Sequence, residues 1–198
     1  MKKIIPFIVA QITMLLALSS CNGCSGNGSP ADSLNIITLD SLPRIVELEG
    51  IIGDGTSMNE LEIISANGDT TIVSVPNEMV KGDVKAGDLV NVIYFVNHDE
   101  NLASTAINIT AICHLWTTTK NGTKQSIELD GKGVAISYNT AIEYDHWQLK
   151  DGFLVLQASK PLGSEKPQQA DTFEIMSLTS TQLVLMKNHV ETVFELEN

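Results

Sequence analysis

Positive charge and aromatic side chains are both scarce in this sequence. Lysine and arginine together number 12 against 24 aspartate and glutamate residues, and aromatic residues make up 5% of the chain. Within residues 44–112 the basic residues are Arg44, Lys81 and Lys85. Proteins that bind nucleic acid need basic surfaces to meet the phosphates and aromatic side chains on which bases stack. The composition therefore predicts no nucleic-acid partner.

Cysteine is almost absent, and the complete set is Cys21, Cys24 and Cys113. These residues provide no disulfide framework of the kind that stabilises small secreted domains, although a pairing of Cys24 with Cys113 stays open. His114 follows Cys113 directly, but neighbouring residues of a strand point to opposite faces, so they cannot form a catalytic pair by adjacency. We predict that Cys113 is a buried, inert thiol.

Catalytic and metal-binding motifs are also missing. The sequence holds no Gly-x-Ser-x-Gly nucleophile elbow, phosphate-binding loop or carboxylate pair at a recognisable spacing. Its 4 histidines are scattered without the spacing of zinc ligands. We therefore predict a protein that is not an enzyme and has no catalytic residue, cofactor or metal site.

Residues 1–20 are typical of an export signal. Lys2 and Lys3 precede an apolar run of roughly 15 residues, which is the length of a signal-peptide core and short for a membrane span. The run ends in "LSSC" at residues 18–21, which resembles the lipobox of bacterial lipoproteins. That resemblance implies that Cys21 becomes the N-terminus and carries palmitate-type acyl chains, which anchor the protein to a membrane. The alternative is a soluble secreted protein without acylation.

Residues 21–43 are rich in Gly, Ser, Asn and Pro, and we predict a flexible tether. In Bacteroides-type lipoproteins, acidic residues after the acylated cysteine accompany surface export. Here Asn22 and Gly23 follow it, which implies an anchor in the outer membrane that faces the periplasm rather than the cell surface. The triplets around Ser33 and Ser41 resemble the Asp-Ser/Thr-aliphatic acceptor of periplasmic O-glycosylation, so both serines are candidate modification sites.

Beyond the tether, turn residues recur about every 8 to 12 positions between runs rich in Val, Ile, Leu and Thr, which predicts an all-β chain. Residues 44–112 contain five such runs, with one short helical segment at 77–81 after the third. This arrangement resembles an OB-type barrel. The expected strands are 44–52, 59–66, 69–76, 86–96 and 104–112.

Residues 113–198 divide into eight short β runs in direct succession, joined where visible by turn dipeptides at 121–122, 130–131 and 151–152. Eight strands that each turn back on a neighbour close into an up-and-down barrel, which removes both exposed edges. Alternation predicts which side chains point inward. These are Trp116, Ile127, Leu129, Ile136, Trp147, Leu149, Leu154, Leu156, Phe173, Ile175, Leu183, Leu185, Phe194 and Leu196.

Several of these runs carry the pattern of a known domain. Trp116 lies early in the first run, "YDHWQL" at 144–149 is followed by "GFLVL", and "FEIMSLTSTQLVL" precedes a closing "TVFEL". This half resembles the lipocalin-like (calycin-type) domains of Bacteroides-type lipoproteins, although His114 stands where lipocalins have the glycine of Gly-x-Trp. The resemblance implies a ligand inside the barrel. The candidate ligand-binding residues are Trp116, Tyr138, Tyr144, Trp147, Phe173 and Phe194.

The content of this barrel stays open at the level of sequence. Strands of seven residues tilted by about 40° give a wall about 18 Å tall, which bulky side chains can fill or which can hold one small ligand. We predict a non-catalytic, membrane-anchored envelope lipoprotein that binds a small apolar or amphipathic ligand. The alternative is an interaction or inhibitor module with filled barrels that binds protein or glycan through its loops.

Overall fold

A computed structural model describes residues 44–97, 100–159 and 169–197. These residues belong to one compact unit, 41–198, and their regular secondary structure is almost entirely β-strand, which confirms the all-β prediction. No helix in the described part of the chain is long and apolar enough to span a membrane.

Four of the predicted sites lie outside the described residues. They are the acylation site Cys21, the candidate glycosylation sites Ser33 and Ser41, and Cys24, whose pairing with Cys113 the sequence leaves open. The signal peptide and the tether that contain these sites remain predictions.

The first barrel comprises residues 44–108. Its strands are β1 (Arg44–Ile52), β2 (Glu60–Ser65), β3 (Thr70–Ser74), β4 (Val80–Lys81), β5 (Leu89–Asn97) and β6 (Glu100–Asn108). The strand order is β3-β2-β1-β5-β6-β4. A parallel pairing of Ser74 in β3 with Leu102 in β6 closes the five longer strands into a barrel, which confirms the OB-like prediction.

Alternate residues of these strands face the interior of the first barrel, as expected for a pleated strand. They form one continuous apolar cluster of mostly β-branched and small side chains, so the interior is filled. The buried set is Ile52, Leu61, Ile63, Val73, Val75, Val90, Val92, Tyr94, Ala103 and Ala106.

The end of the first barrel differs from the prediction. The strand expected at 104–112 ends at Asn108, and a helical turn, α1 (Ile109–Ile112), follows. The Asn108 side-chain oxygen accepts a hydrogen bond from the Ala111 N–H at 3.0 Å, and its Nδ2 donates to Asp88 Oδ2 at 2.9 Å. An asparagine cap starts a helix by satisfying a free N–H group, even in a β-rich sequence. The helical segment expected at 77–81 is shorter in the structure: a single 3-10 turn, Asn77–Met79, follows Pro76, and Val80–Lys81 is strand β4.

The second barrel comprises residues 115–196. Its strands are β7 (Leu115–Lys120), β8 (Thr123–Leu129), β9 (Ala135–Tyr138), β10 (His146–Lys150), β11 (Phe153–Ala158), β12 (Gln169–Leu178), β13 (Gln182–Lys187) and β14 (Val190–Leu196). The order β10-β11-β12-β13-β14-β7-β8-β9 confirms an antiparallel up-and-down arrangement. The barrel is nearly closed, because β9 and β10 meet through one bridge, Val134 with His146.

Most of the inward set is confirmed, but the prediction for Ile136 is wrong. In the ladder between β8 and β9, Leu129 pairs with Ala135 and Glu128 pairs with Ile136. Directly paired residues share a face of the sheet, so Ala135 lies inside at 2% exposure and Ile136 lies outside at 45%.

One end of the second barrel is plugged by α1. Ile109 and Ile112 pack into the same buried cluster as Trp116 and Leu178. The Trp116 Nε1–H donates to the Ile112 carbonyl oxygen at 2.8 Å. The connection between the barrels therefore also serves as the floor of the second one.

Candidate ligand-binding site

A pocket of about 520 Å³ lies in the second barrel, away from α1. Its floor is apolar because alternate residues of three strands, β8, β11 and β13, point inward: Ile127, Leu129, Leu154, Leu156, Leu183 and Leu185. Phe173 and Phe194 add aromatic surface to its walls. The volume falls within the range of pockets that bind small molecules, and the apolar lining matches their usual chemistry. This barrel is therefore hollow at one end.

Three predicted site residues meet in this pocket. Tyr144, Phe173 and Phe194 all line it, although they come from the segment before β10, from β12 and from β14. Each is partly buried and packs against the core cluster of the barrel.

The two tryptophans do not line the pocket but close the barrel beneath it. Trp116 is fully buried at the closed end of the barrel. Trp147 is also buried, and its Nε1–H donates to the Asp130 carbonyl oxygen at 2.9 Å. Both indole N–H groups are satisfied by backbone oxygens, as buried tryptophans require. The structure therefore places these residues as packing elements.

Tyr138 lies apart from the other predicted residues. It is 42% exposed on the outer face of β9, on the same side as Ile136. Its hydroxyl donates to Glu128 Oε2 at 3.1 Å, also outside the barrel.

A polar cluster at the rim of the pocket escaped the sequence analysis. The Tyr144 hydroxyl donates to one oxygen of the buried Asp171, and Lys187 Nζ lies 2.7 Å from the other. The same ammonium sits 5.5 Å from the centre of the Phe173 ring, a cation–π distance. Asp171 alternates along β12 with Phe173 and Ile175, so all three side chains point into the barrel. This alternation is the sequence signal that could have identified Asp171.

Hydrogen bonding and burial set the protonation of this cluster. Burial raises the pKa of Asp171, but hydrogen bonds from Lys187 and Tyr144 outweigh it, so the pKa is lowered overall. Burial and then the bond to Asp171 raise the pKa of Tyr144 well above its ordinary value. The cluster is therefore an ionised carboxylate held by an ammonium and a neutral phenol.

The segment between β9 and β10 supplies part of the rim. Thr140, Ala141 and Ile142 line the pocket, and the backbone N–H of Tyr144 donates to Ser137 Oγ at 3.1 Å. Strand patterning gave no indication of these residues, because they belong to no strand.

The structure does not pair Cys113 with a base. Burial, followed by the charge of Asp130, raises the pKa of the Cys113 thiol to about 11, which leaves it protonated at neutral pH. The ring of His114 instead stands edge-on to Trp116, with centroids 6.0 Å apart. Within the described residues, no cluster of three or more His, Cys, Asp or Glu side chains could hold a metal ion.

Comparison with known proteins agrees with this architecture. Residues 108–197 match the family model described as Lipocalin-like, a match that begins at the helix cap Asn108 and covers the second barrel. This part of the chain is similar to lipocalin-like domains, which are generally binding rather than catalytic modules. Among solved structures, the chain is similar to a lipocalin-like protein from Bacteroides thetaiotaomicron VPI-5482, with 26% sequence identity and a TM-score of 0.37. That match covers 44% of this chain and 97% of the other. No curated protein matches the chain.

Proposed function

We propose that the second barrel binds one small apolar or amphipathic ligand and that the protein acts without catalysis. The observation that carries this proposal is the pocket of about 520 Å³ with its floor of leucine and isoleucine. An apolar chain that enters it leaves water for a surface already shaped by the fold, which is the main source of affinity in such sites. The lipocalin-like match of residues 108–197 supports the same role.

The proposal includes the cell envelope as the place of action. The lipobox-like residues 18–21 support acylation of Cys21, and the sequence after Cys21 supports an outer-membrane anchor facing the periplasm. A tether of Gly, Ser and Asn would then hold the barrels near the membrane surface. Mass spectrometry of the N-terminal peptide tests this part, because acylation adds the mass of the lipid to Cys21.

The ligand itself is tested by native mass spectrometry of the protein purified from an expressing bacterium. We expect a bound mass that is released on denaturation and extracts as an amphiphile. Ile142→Arg places a charged side chain at the rim of the pocket and should abolish the bound mass. Ile136→Arg makes the same change on the outer face of the barrel and should leave it.

Failure of this test has a defined form. If the protein carries no bound mass and a panel of fatty acids, alcohols and amines of matched chain length gives no rise in unfolding temperature, the pocket does not bind apolar ligands. Equal loss of ligand in Ile142→Arg and Ile136→Arg would place the binding site elsewhere.

A second candidate function, binding of a protein partner, has support in the first barrel. Ile45, Phe95 and Leu102 are direct cross-strand neighbours on its outer face, with Ile45 63% and Leu102 44% exposed. Adjacent exposed apolar residues mark interaction surfaces more often than isolated ones do. Leu102→Asp should abolish capture of such a partner, whereas Ile136→Asp on the second barrel should not.

A further inference from the structure

The wall of the pocket has a gap where the last strand of the barrel, β14, lies beside the first, β7. β14 and β7 pair through only two residue pairs, Glu195 with Thr117 and Leu196 with Trp116. On their other sides, β14 makes six pairs with β13 and β7 makes six pairs with β8. Within the described residues, the β7 and β14 edges therefore face each other without a ladder from Thr118 and Phe194 to the rim. We call this stretch the seam.

The lining of the pocket supports an opening at the seam. β8 contributes every second residue, Gln125, Ile127 and Leu129, as a closed wall must. β7 and β14 instead contribute consecutive residues, 118–120 and 190–194. Consecutive residues of a strand can reach the same cavity where the edge of that strand is open to it. The pocket therefore extends sideways into the seam.

A second cavity meets the pocket from outside at the same place. This outer groove has a volume of about 530 Å³ and is lined in part by Thr118, Thr119 and Val193, which also line the pocket. The groove is mainly polar, since Thr117, Lys124, Glu195 and Glu197 complete most of its lining. A ligand with an apolar chain in the pocket could thus place its polar end in the seam.

The seam offers hydrogen-bonding groups together with charges of both signs. Its side chains include the hydroxyls of Thr118, Thr119 and Thr192, and its open strand edges add backbone N–H and C=O groups. Lys120 on β7 and Glu191 on β14 carry opposite charges on the two sides.

Two other lysines near the pocket already form ion pairs. Lys124 and Thr117 bind Glu197 at the closed end of the seam, and Lys187 binds Asp171 of the neighbouring strand at the rim. Glu195 adds a negative charge to the outer groove. Because Lys120 and Glu191 carry opposite signs, a charged head group of either sign would be attracted by one of them and repelled by the other. Such a head group would still give up water, which costs far more than burying a hydroxyl that forms hydrogen bonds.

We propose that the seam is the subsite for an uncharged, hydrogen-bonding head group, so that the ligand is a neutral amphiphile such as a long-chain alcohol, a monoacylglycerol or an alkyl amide. This inference rests on the proposed function of the pocket and adds the chemistry of the head group. The chain lies on the leucine floor, and the head reaches the threonine hydroxyls between the two open edges.

The experiment compares decanol, decanoate and decylammonium at neutral pH, as three ligands with one chain and different charge. Each is titrated into the full chain carrying Cys21→Ser, so that no acyl anchor competes, and binding is read by displacement of a fluorescent apolar probe. We expect decanol to bind at least about tenfold more tightly than either ion, equivalent to about 1.4 kcal/mol.

Two variants test whether the preference for decanol arises in the seam. Thr118→Val with Thr192→Val removes two seam hydroxyls at nearly constant shape and should erase most of the advantage of decanol. Thr172→Val makes the same substitution on the exposed outer face of β12 and should retain it. Thermal unfolding of each variant confirms that the barrel is intact.

The outcomes separate this inference from the function on which it rests. If either ion binds as tightly as decanol, the neutral head group is wrong while the pocket stands. If decanol is preferred equally in the double variant, the seam is not the subsite. If none of the three ligands displaces the probe, the proposed function itself fails.

Discussion

The two barrels of this chain use the same β-strand chemistry but differ in what they enclose. The first closes five longer strands around one apolar cluster that includes Val90, Val92 and Ala106. The second arranges eight strands around a core that is packed at one end and hollow at the other. Barrel diameter grows with the number of strands, so medium-sized side chains that fill the first leave space in the second.

The position of the large side chains decides which end of the second barrel is hollow. Trp116, Trp147 and the helical turn α1 occupy the closed end, whereas the opposite end is lined by leucines and by two phenylalanines on its walls. Strand number thus creates the space, and the placement of two tryptophans confines it to one end.

The largest expected effect comes from opening the closed end. Trp116→Ala should lower the free energy of unfolding by about 3–5 kcal/mol, because it removes a fully buried aromatic ring and leaves a cavity. It also deprives the Ile112 carbonyl oxygen of its hydrogen-bond donor. Urea unfolding of the wild type and the variant measures this difference.

Tyr138→Ala is the matched control on the outer face of the same barrel. Since Tyr138 is exposed, its loss should change the free energy of unfolding by no more than about 0.5–1 kcal/mol. If the two substitutions lower the free energy of unfolding equally, Trp116 does not stabilise the closed end of the barrel.

The strands of both barrels could be predicted from the sequence because alternation and turn dipeptides are local signals. Ile136 shows where this information ends, since two adjacent apolar residues, Ala135 and Ile136, satisfy alternation in either register. The pairing of Glu128 with Ile136 settles the choice, and that pairing is a tertiary fact. Asn108 is a second case, because its capping role depends on the chain leaving the sheet at that residue.

The site was only partly predictable for the same reason. The aromatic residues Phe173 and Phe194 were found by their inward parity, and Asp171 has that parity too. The seam was not accessible from sequence, because β7 and β14 are far apart along the chain and their pairing stops after two residue pairs. Whether side chains fill a barrel was also not predictable, because it depends on the combined volume of the inward-facing side chains of all its strands.

An intermediate effect is expected from one substitution made in both barrels. Leu61 in the filled barrel and Leu185 on the pocket floor are each 2% exposed. Leu61→Ala should cost about 2–5 kcal/mol of unfolding free energy, because its neighbours surround it on all sides and a new cavity forms. Leu185→Ala should cost about 1–2 kcal/mol less, because Leu185 already borders an open pocket and loses fewer contacts.

Urea unfolding of the two leucine variants, with the slope against denaturant checked for equality, makes this comparison. The same cost for both would mean that the pocket closes in solution and that the second barrel is filled after all. Addition of decanol offers a further check, since it should stabilise Leu185→Ala if the enlarged pocket still binds the chain.

The smallest effect concerns the ionic cluster at the rim of the second barrel. Burial raises the pKa of Asp171, but Lys187 and Tyr144 lower it by more, so its folded value lies below the unfolded value of about 3.9. A carboxyl of this kind contributes stability above its unfolded pKa and loses it as the pH falls through the folded value. The unfolding free energy of the wild type should therefore fall more steeply than that of Asp171→Asn as the pH drops from about 5 to about 3.

Lys187→Met, which removes one hydrogen bond to Asp171 but keeps that from Tyr144, should give an intermediate slope. If Asp171→Asn follows the wild-type slope, the cluster contributes nothing to stability, and the hollow end of the barrel is held by its apolar walls alone.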